Sequence, residues 1–211
     1  MVDRIKEYLL VKTKEIGFIQ DVNFQRGEND FRLIRKNENF IDYIIYNVSK
    51  LKSKSQFIYA VRKTFPILED YFDCDALKEV IHLQEERYSV TLGHGSIEIT
   101  EGQFGDECKS KLNEIVRHVK NSFSTYDWVN DMISLNKLVN TPFNKLEYLW
   151  MPPKWLYKIK IADLANDLET RDKIWEYTYS YYQELLNGDD NNLKAKQTIT
   201  FLKDMKSAFL T

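Results

Sequence analysis

The strongest alternation of apolar and polar positions lies between Phe40 and Phe65, in two runs separated by a polar, lysine-rich stretch. In Ile41–Val48, the residues Ile44, Tyr46 and Val48 point one way, while Ile41, Tyr43 and Ile45 point the other. Apolar side chains on both sides predict a central strand covered on both faces. In Phe57–Phe65, Phe57, Tyr59 and Val61 share one side and Ile58, Ala60, Arg62 and Thr64 the other, which is the pattern of a half-buried strand. Together the runs predict a long antiparallel hairpin on which the N-terminal half packs.

Upstream, Ile5, Tyr8, Leu9 and Ile16 mark a helix over Val2–Ile16, stopped by Gly17. Phe18–Gln25 reads as a short strand or an irregular crossing, and residues 27–30 as a turn. Phe31–Lys36 follows as a strand with Phe31 and Leu33 on one side, then a turn at Asn37-Glu38-Asn39. Beyond the hairpin, Pro66 with Glu69 and Asp70 suits the first turn of a helix. Asp73-Cys74-Asp75 interrupts it, and Leu77, Val80, Ile81 and Gln84 resume helical spacing. Tyr88, Val90 and Leu92 alternate again, as do Ile97 and Ile99. A second hairpin is therefore expected, with Gly93-His94-Gly95 at its turn.

Leu112, Ile115, Val116, Val119 and Phe123 form the clearest amphipathic helix, with Asp106 as its expected N-cap. Strand signals then nearly vanish. Trp128–Val139 is predicted helical and ends at Asn140-Thr141-Pro142. Around Tyr157, Ile159 and Ile161 the alternation of a strand competes with the helical spacing of Ile161, Leu164, Ala165 and Leu168. Thr170 is the expected cap of a helix running to Asn187-Gly188, and Asp190–Leu210 supplies the last helix, with Leu202, Met205 and Phe209 on its buried side. The predicted fold class is α+β: a sheet domain over residues 1–125, then a helical region over 126–211. With no Gly/Ser-rich linker between them, the second is expected to pack on the first.

Composition narrows the class. In 211 residues, 43% hydrophobic and 14% aromatic, there is ample material for a core, and the composition disfavours disorder. No apolar run approaches the ~20 residues of a membrane span. The opening MVDRIKEYLL lacks a signal peptide's continuous apolar stretch, so a cytoplasmic protein is expected. Two cysteines, Cys74 and Cys108, cannot staple a chain this long and are expected to be reduced.

The first helix ending in Ile16-Gly17-Phe18, then Phe31-Arg32, then the strand pair Phe40–Ser49 and Gln56–Phe65, resembles a family of bacterial domains of unknown function. The resemblance covers roughly the first third of the chain and implies an α+β sheet domain of bacterial origin, with no activity or site residues. Where that family has Gln-x-Ser after the central strand, this chain has Asn47-Val48-Ser49.

Candidate chemistry is sparse. His82 with Glu85 and Glu86 could share a helix face, but no HExxH or paired-cysteine spacing completes a metal site. His94, between two glycines, reads as a turn residue, and His118 as a flank of its helix's apolar stripe. No GxSxG, GxxxxGK[ST] or GxGxxG motif is present. Asp73 and Asp75 disfavour a Cys74 thiolate, and Cys108 reads as core. The aromatic series Trp175, Tyr179 and Tyr182, flanked by Tyr177 and Tyr181, reads as a core seam between helices before it reads as a binding surface. Neither a catalytic group nor a cofactor is expected.

The charge pattern is more informative than the net charge of −2. Phe31–Phe65 holds eight Lys/Arg against two Asp/Glu, a net of +6; Pro66–Glu107 holds two against eleven, a net of −9. The leading expectation is a protein that binds another protein and has no catalysis of its own, of immunity or antitoxin type. Its acidic face would comprise Glu69, Asp70, Asp73, Asp75, Glu79, Glu85 and Glu86. An RNA-binding module using Arg32, Arg35, Lys36, Lys50, Lys52, Lys54, Arg62 and Lys63 beside aromatic residues is the first alternative. A small-ligand binder or enzyme, with a pocket between sheet and helices, is the second.

Overall fold

Ile5, Leu9 and Thr13 recur at four-residue spacing and are fully buried, which commits helix α1 (Val2–Lys14) to one packed side. In the computed structural model, which describes residues 2–24, 27, 29–51, 54–68, 89–100, 104–142 and 154–209, α1 is followed by five strands and then a mainly helical region. The strands are β1 (Ile19–Gln20), β2 (Phe31–Lys36), β3 (Ile41–Leu51), β4 (Lys54–Thr64) and β5 (Ser89–Thr100). The helices after them are α2 (Asp106–Thr125), α3 (Met132–Asn140), α4 (Lys154–Leu164), α5 (Leu168–Gly188) and α6 (Leu193–Phe209). The fold is α+β. No described helix is long and apolar enough to cross a membrane.

The chain divides into two compact units, Met1–Phe65 with Ser89–Val129, and Pro66–Tyr88 with Asn130–Thr211. In the first, the strands form one antiparallel sheet in sequence order, β1-β2-β3-β4-β5. The hairpin read from the sequence is its centre, but each strand is longer than expected: pairing continues to Leu51 opposite Lys54. Rows such as Phe31, Tyr46, Tyr59 and Gly95, or Leu33, Ile44, Val61 and Gly93, face α1 and α2. Phe31, Leu33, Ile44, Tyr46, Phe57, Val61, Leu112, Ile115 and Val119 bury there as the main core. The opposite face is covered over β2 and β3 by a smaller cluster of Phe24, Tyr43 and Ile45, with Ile34 and Ile41 against it.

β5 corrects the second hairpin. Gly93-His94-Gly95 lies inside one continuous strand whose irregularity falls at Val61/Arg62, where Val61 pairs with Gly93 and Arg62 with Thr91. The glycines serve close approach, not a turn. A Cβ on Gly95 would stand 2.6 Å from the Tyr59 hydroxyl and 2.8 Å from the ring carbon bearing it, and one on Gly93 2.6 Å from Ser122 Oγ.

In the second unit, consecutive helices α3 to α6 pack in turn. Asp167, not Thr170, caps α5: its carboxylate accepts from the Thr170 N–H at 3.2 Å, which makes Thr170 the third helical residue. At α2 the cap position belongs to Gly105, and Asp106 is the first helical residue, where its charge still suits the helix dipole. The competing strand signal near Tyr157 gives way to helix α4. Trp175 is buried and donates to the Leu202 carbonyl at 2.8 Å, whereas Tyr177 and Tyr181 remain about half exposed at 47% and 48%.

Candidate functional site

Strand register places three ionisable residues in one row of the first unit. Arg35 on β2 opposes Asp42 on β3, which opposes Lys63 on β4. All three face α2, so the side chains that sequence order scatters converge under a helix. Asp42 is fully buried. Arg35 donates to its Oδ2 from Nη2 at 2.7 Å and from Nε at 3.0 Å. The Lys63 ammonium lies 3.7 Å from Oδ1, donates to the Val129 carbonyl at 2.7 Å and sits 3.7 Å from the centre of the Phe40 ring.

Two charges of opposite sign in a shared interior push each other toward ionisation, and desolvation pushes them back. Here desolvation is the larger influence on both. Burial raises the Asp42 carboxyl from its ordinary value, against the hydrogen bonds and charges of Arg35 and Lys63. Burial lowers the Lys63 ammonium, against the fields of Asp42 and Asp127. Asp42 Oδ1 has no hydrogen-bond donor. The cluster is therefore expensive to hold and depends on the two N–H groups that Arg35 places on one carboxylate oxygen.

The chain entering β1 helps aim that arginine. Gly17 closes α1 with φ of 86°, the left-handed region glycine tolerates, and turns the Ile16 carbonyl toward Arg35 Nη1 at 3.1 Å. The guanidinium carbon then lies 5.0 Å from the Phe18 ring centre and 5.1 Å from that of Phe123. Outside it opens a groove of about 410 Å³ lined by Ile16, Arg35, Lys120, Phe123, Ser124 and Asp127.

Two rows along the same face of the sheet, the Tyr59 hydroxyl and His118 Nδ1 share a hydrogen bond at 2.7 Å. Burial raises the Tyr59 hydroxyl's pKa, and that of the fully buried Tyr46 beside it still more. His118 is thus tied to the sheet. His94, paired across from Ala60, is exposed on the other face. His82 lies outside the described residues.

The basic residues singled out from the sequence do not form one surface. Arg35 and Lys63 face the helices. Arg32, Lys36 and Arg62 take the opposite face, because their partners Ile45, Ile41 and Tyr43 do, and Lys54, an even number of residues before Arg62 on β4, shares it. Arg62 and Lys63 are only 4% and 2% exposed, which withdraws both from any surface contact. Arg32 donates to Asp21 at 2.7 Å and stacks on Phe24 and Tyr43. Lys54 is exposed and pairs with Glu98 at 2.9 Å, and Lys36 is exposed. Lys52 and the side chain of Lys50 lie outside the described residues. So do Glu69, Asp70, Asp73, Asp75, Glu79, Glu85 and Glu86. Sequence reasoning missed Asp42, Lys120 and Asp127; a cross-strand row of opposite charges, once register was assigned, is the signal for the first. Comparison with protein-family models, with curated proteins and with solved structures gives no match.

Proposed function

We propose that the chain is a binding protein without catalytic activity, which recognises a cationic protein partner through its acidic stretch, in the manner of an immunity or antitoxin protein. The observation that carries this reading is where the opposing charges go. Within the basic block, Arg32 is held by Asp21, and Arg35 and Lys63 by Asp42. Those cations are occupied inside their own unit, so they serve the fold before they serve a polyanion. The acidic block, with its formal net of −9, is left as the stronger source of long-range field. The same facts weigh against the RNA reading, which needs its cations on one accessible surface.

The test begins with the full chain and a variant carrying Asp70→Lys, Asp73→Lys and Glu86→Lys. A partner captured from the source cell by the parent chain is purified, and its association with both chains is followed by stopped flow. The reversed variant should associate roughly tenfold more slowly at low salt, with the difference shrinking as salt rises. Equal association rates, with the variant's fold confirmed by circular dichroism, would remove the acidic stretch from the mechanism. A parallel gel shift with random-sequence RNA should show no complex at physiological salt. A complex that Lys36→Glu and Lys54→Glu abolish would replace the proposal with the RNA reading.

A further inference from the structure

The groove beside Arg35 is charged at both ends, and the hydrogen-bond count says which groups remain available. A guanidinium has five N–H donors. Arg35 uses one from Nε and one from Nη2 on Asp42, and one from Nη1 on the Ile16 carbonyl. Five less three leaves two, one on each terminal nitrogen, and the residue lines the groove. Lys120 adds a second cation: its ammonium is 3.7 Å from Glu15, beyond hydrogen-bonding distance, and its side chain is 41% exposed.

The other end is negative. Asp127 lies just past the end of α2; its charge acts on Lys63 at a distance, but its carboxylate accepts no hydrogen bond among the described residues. The Ser124 hydroxyl is likewise uncommitted. The last turn of α2 carries no basic residue, so the partial negative charge of its carbonyls is not offset there. Lys120 and Ser124 follow one another one turn apart on α2, with Phe123 between them, and Asp127, in the turn after the helix, lines the same groove. Ile16 and Phe123 supply apolar walls.

We propose that this groove binds a small zwitterion, one molecule bearing both a carboxylate and a primary ammonium. The carboxylate takes the two spare guanidinium donors and Lys120. The ammonium takes Asp127, the Ser124 hydroxyl and the carbonyl end of α2. An aliphatic portion rests on Ile16 and Phe123. A simple anion satisfies only one end and leaves Asp127 facing it; a simple amine meets Arg35 and Lys120. The volume of about 410 Å³ accommodates a small amino acid with room for a side chain.

The full-length protein is titrated by heteronuclear NMR with leucine and with 4-aminobutanoate, an α- and an ω-amino acid. The controls are 4-methylpentanoate and 3-methylbutylamine, which keep one charged end each. At least one zwitterion should bind saturably at about millimolar concentration or tighter, shifting the Phe123 and Ser124 amides, with both controls roughly tenfold weaker or more. Asp127→Asn and Lys120→Ala, on exposed side chains, should each weaken zwitterion binding roughly tenfold or more while leaving the thermal midpoint unchanged. Arg35 is left intact because it also holds Asp42. No binding of either zwitterion overturns the proposal. So does an acid control that binds as tightly, which would make this an anion site only, or an undiminished affinity in both variants.

Discussion

Lys158 carries an ammonium into the interior of the helical unit, where it is fully buried and donates to the Val139 carbonyl at 2.5 Å. Burial lowers its pKa from 10.5 to about 8. The unfolded chain therefore keeps this proton up to about 10.5, while the folded chain releases it from about 8. Between those values the unfolded state binds more protons, so stability rises with pH. Below about 8 the cost of the buried charge is fully present, of order 3 kcal/mol. Urea unfolding followed by tryptophan fluorescence should show stability climbing between about pH 8 and pH 10 in the parent chain. Lys158→Met should flatten that climb, and an unchanged slope would assign it elsewhere. Gly95→Ala is a second test at this scale. The new methyl must displace the Tyr59 ring, whose hydroxyl is tied to His118. A loss of about 1–3 kcal/mol is expected, with displaced ring resonances of Tyr59 and His118 by NMR. A neutral Gly95→Ala would mean that the ring yields freely.

Elements were legible where one face was buried and the other was not. β3 and β4 announced themselves by period, and α2 by its stripe. α4 did not, because Leu156, Tyr157, Lys158, Ile159, Ile161 and Ala162 are all buried, leaving no polar side to mark a helical period. β5 was masked by its own glycines, which resemble a turn in sequence but serve close packing of Tyr59 and Ser122. The charged row was illegible for a different reason: Arg35, Asp42 and Lys63 meet only through register, and register is not written in any one strand. At the start of α5 the sequence offers both Asp167 and Thr170 as caps. Asp167 accepts from the Thr170 N–H and from Asn136 Nδ2 at 2.8 Å, and although burial pushes its carboxyl up, these bonds hold it below its ordinary value. Asp167→Ala should therefore cost about 1–2 kcal/mol and Thr170→Ala less. Equal losses by urea denaturation would count against Asp167 as the cap.

At the scale of the whole molecule, the first unit is discontinuous in sequence: Met1–Phe65 and Ser89–Val129 belong together, and Pro66–Tyr88 falls between them. Thr64 pairs directly with Ser89 across β4 and β5, so the two cut ends lie about 5 Å apart. A short turn can span that gap. A chain of Met1–Phe65, a turn of about four residues, and Ser89–Val129 has roughly 110 residues, a length at which a single core folds unaided. The core it keeps includes Ile5, Leu9, Leu33, Ile44, Tyr46, Phe57, Leu112 and Val119. This shortened chain should unfold cooperatively, give dispersed amide resonances and retain the Tyr59–His118 hydrogen bond. Aggregation, or a melt without a transition, would show that the first unit does not stand alone. The variant also separates the two functional proposals. It lacks Glu69, Asp70, Asp73, Asp75, Glu79, Glu85 and Glu86 but keeps Arg35, Lys120 and Asp127. It should therefore lose the cationic partner and still bind the zwitterion. Retained partner binding would sink the acidic-stretch reading while leaving the groove untouched, and loss of the zwitterion by a well-folded variant would do the reverse.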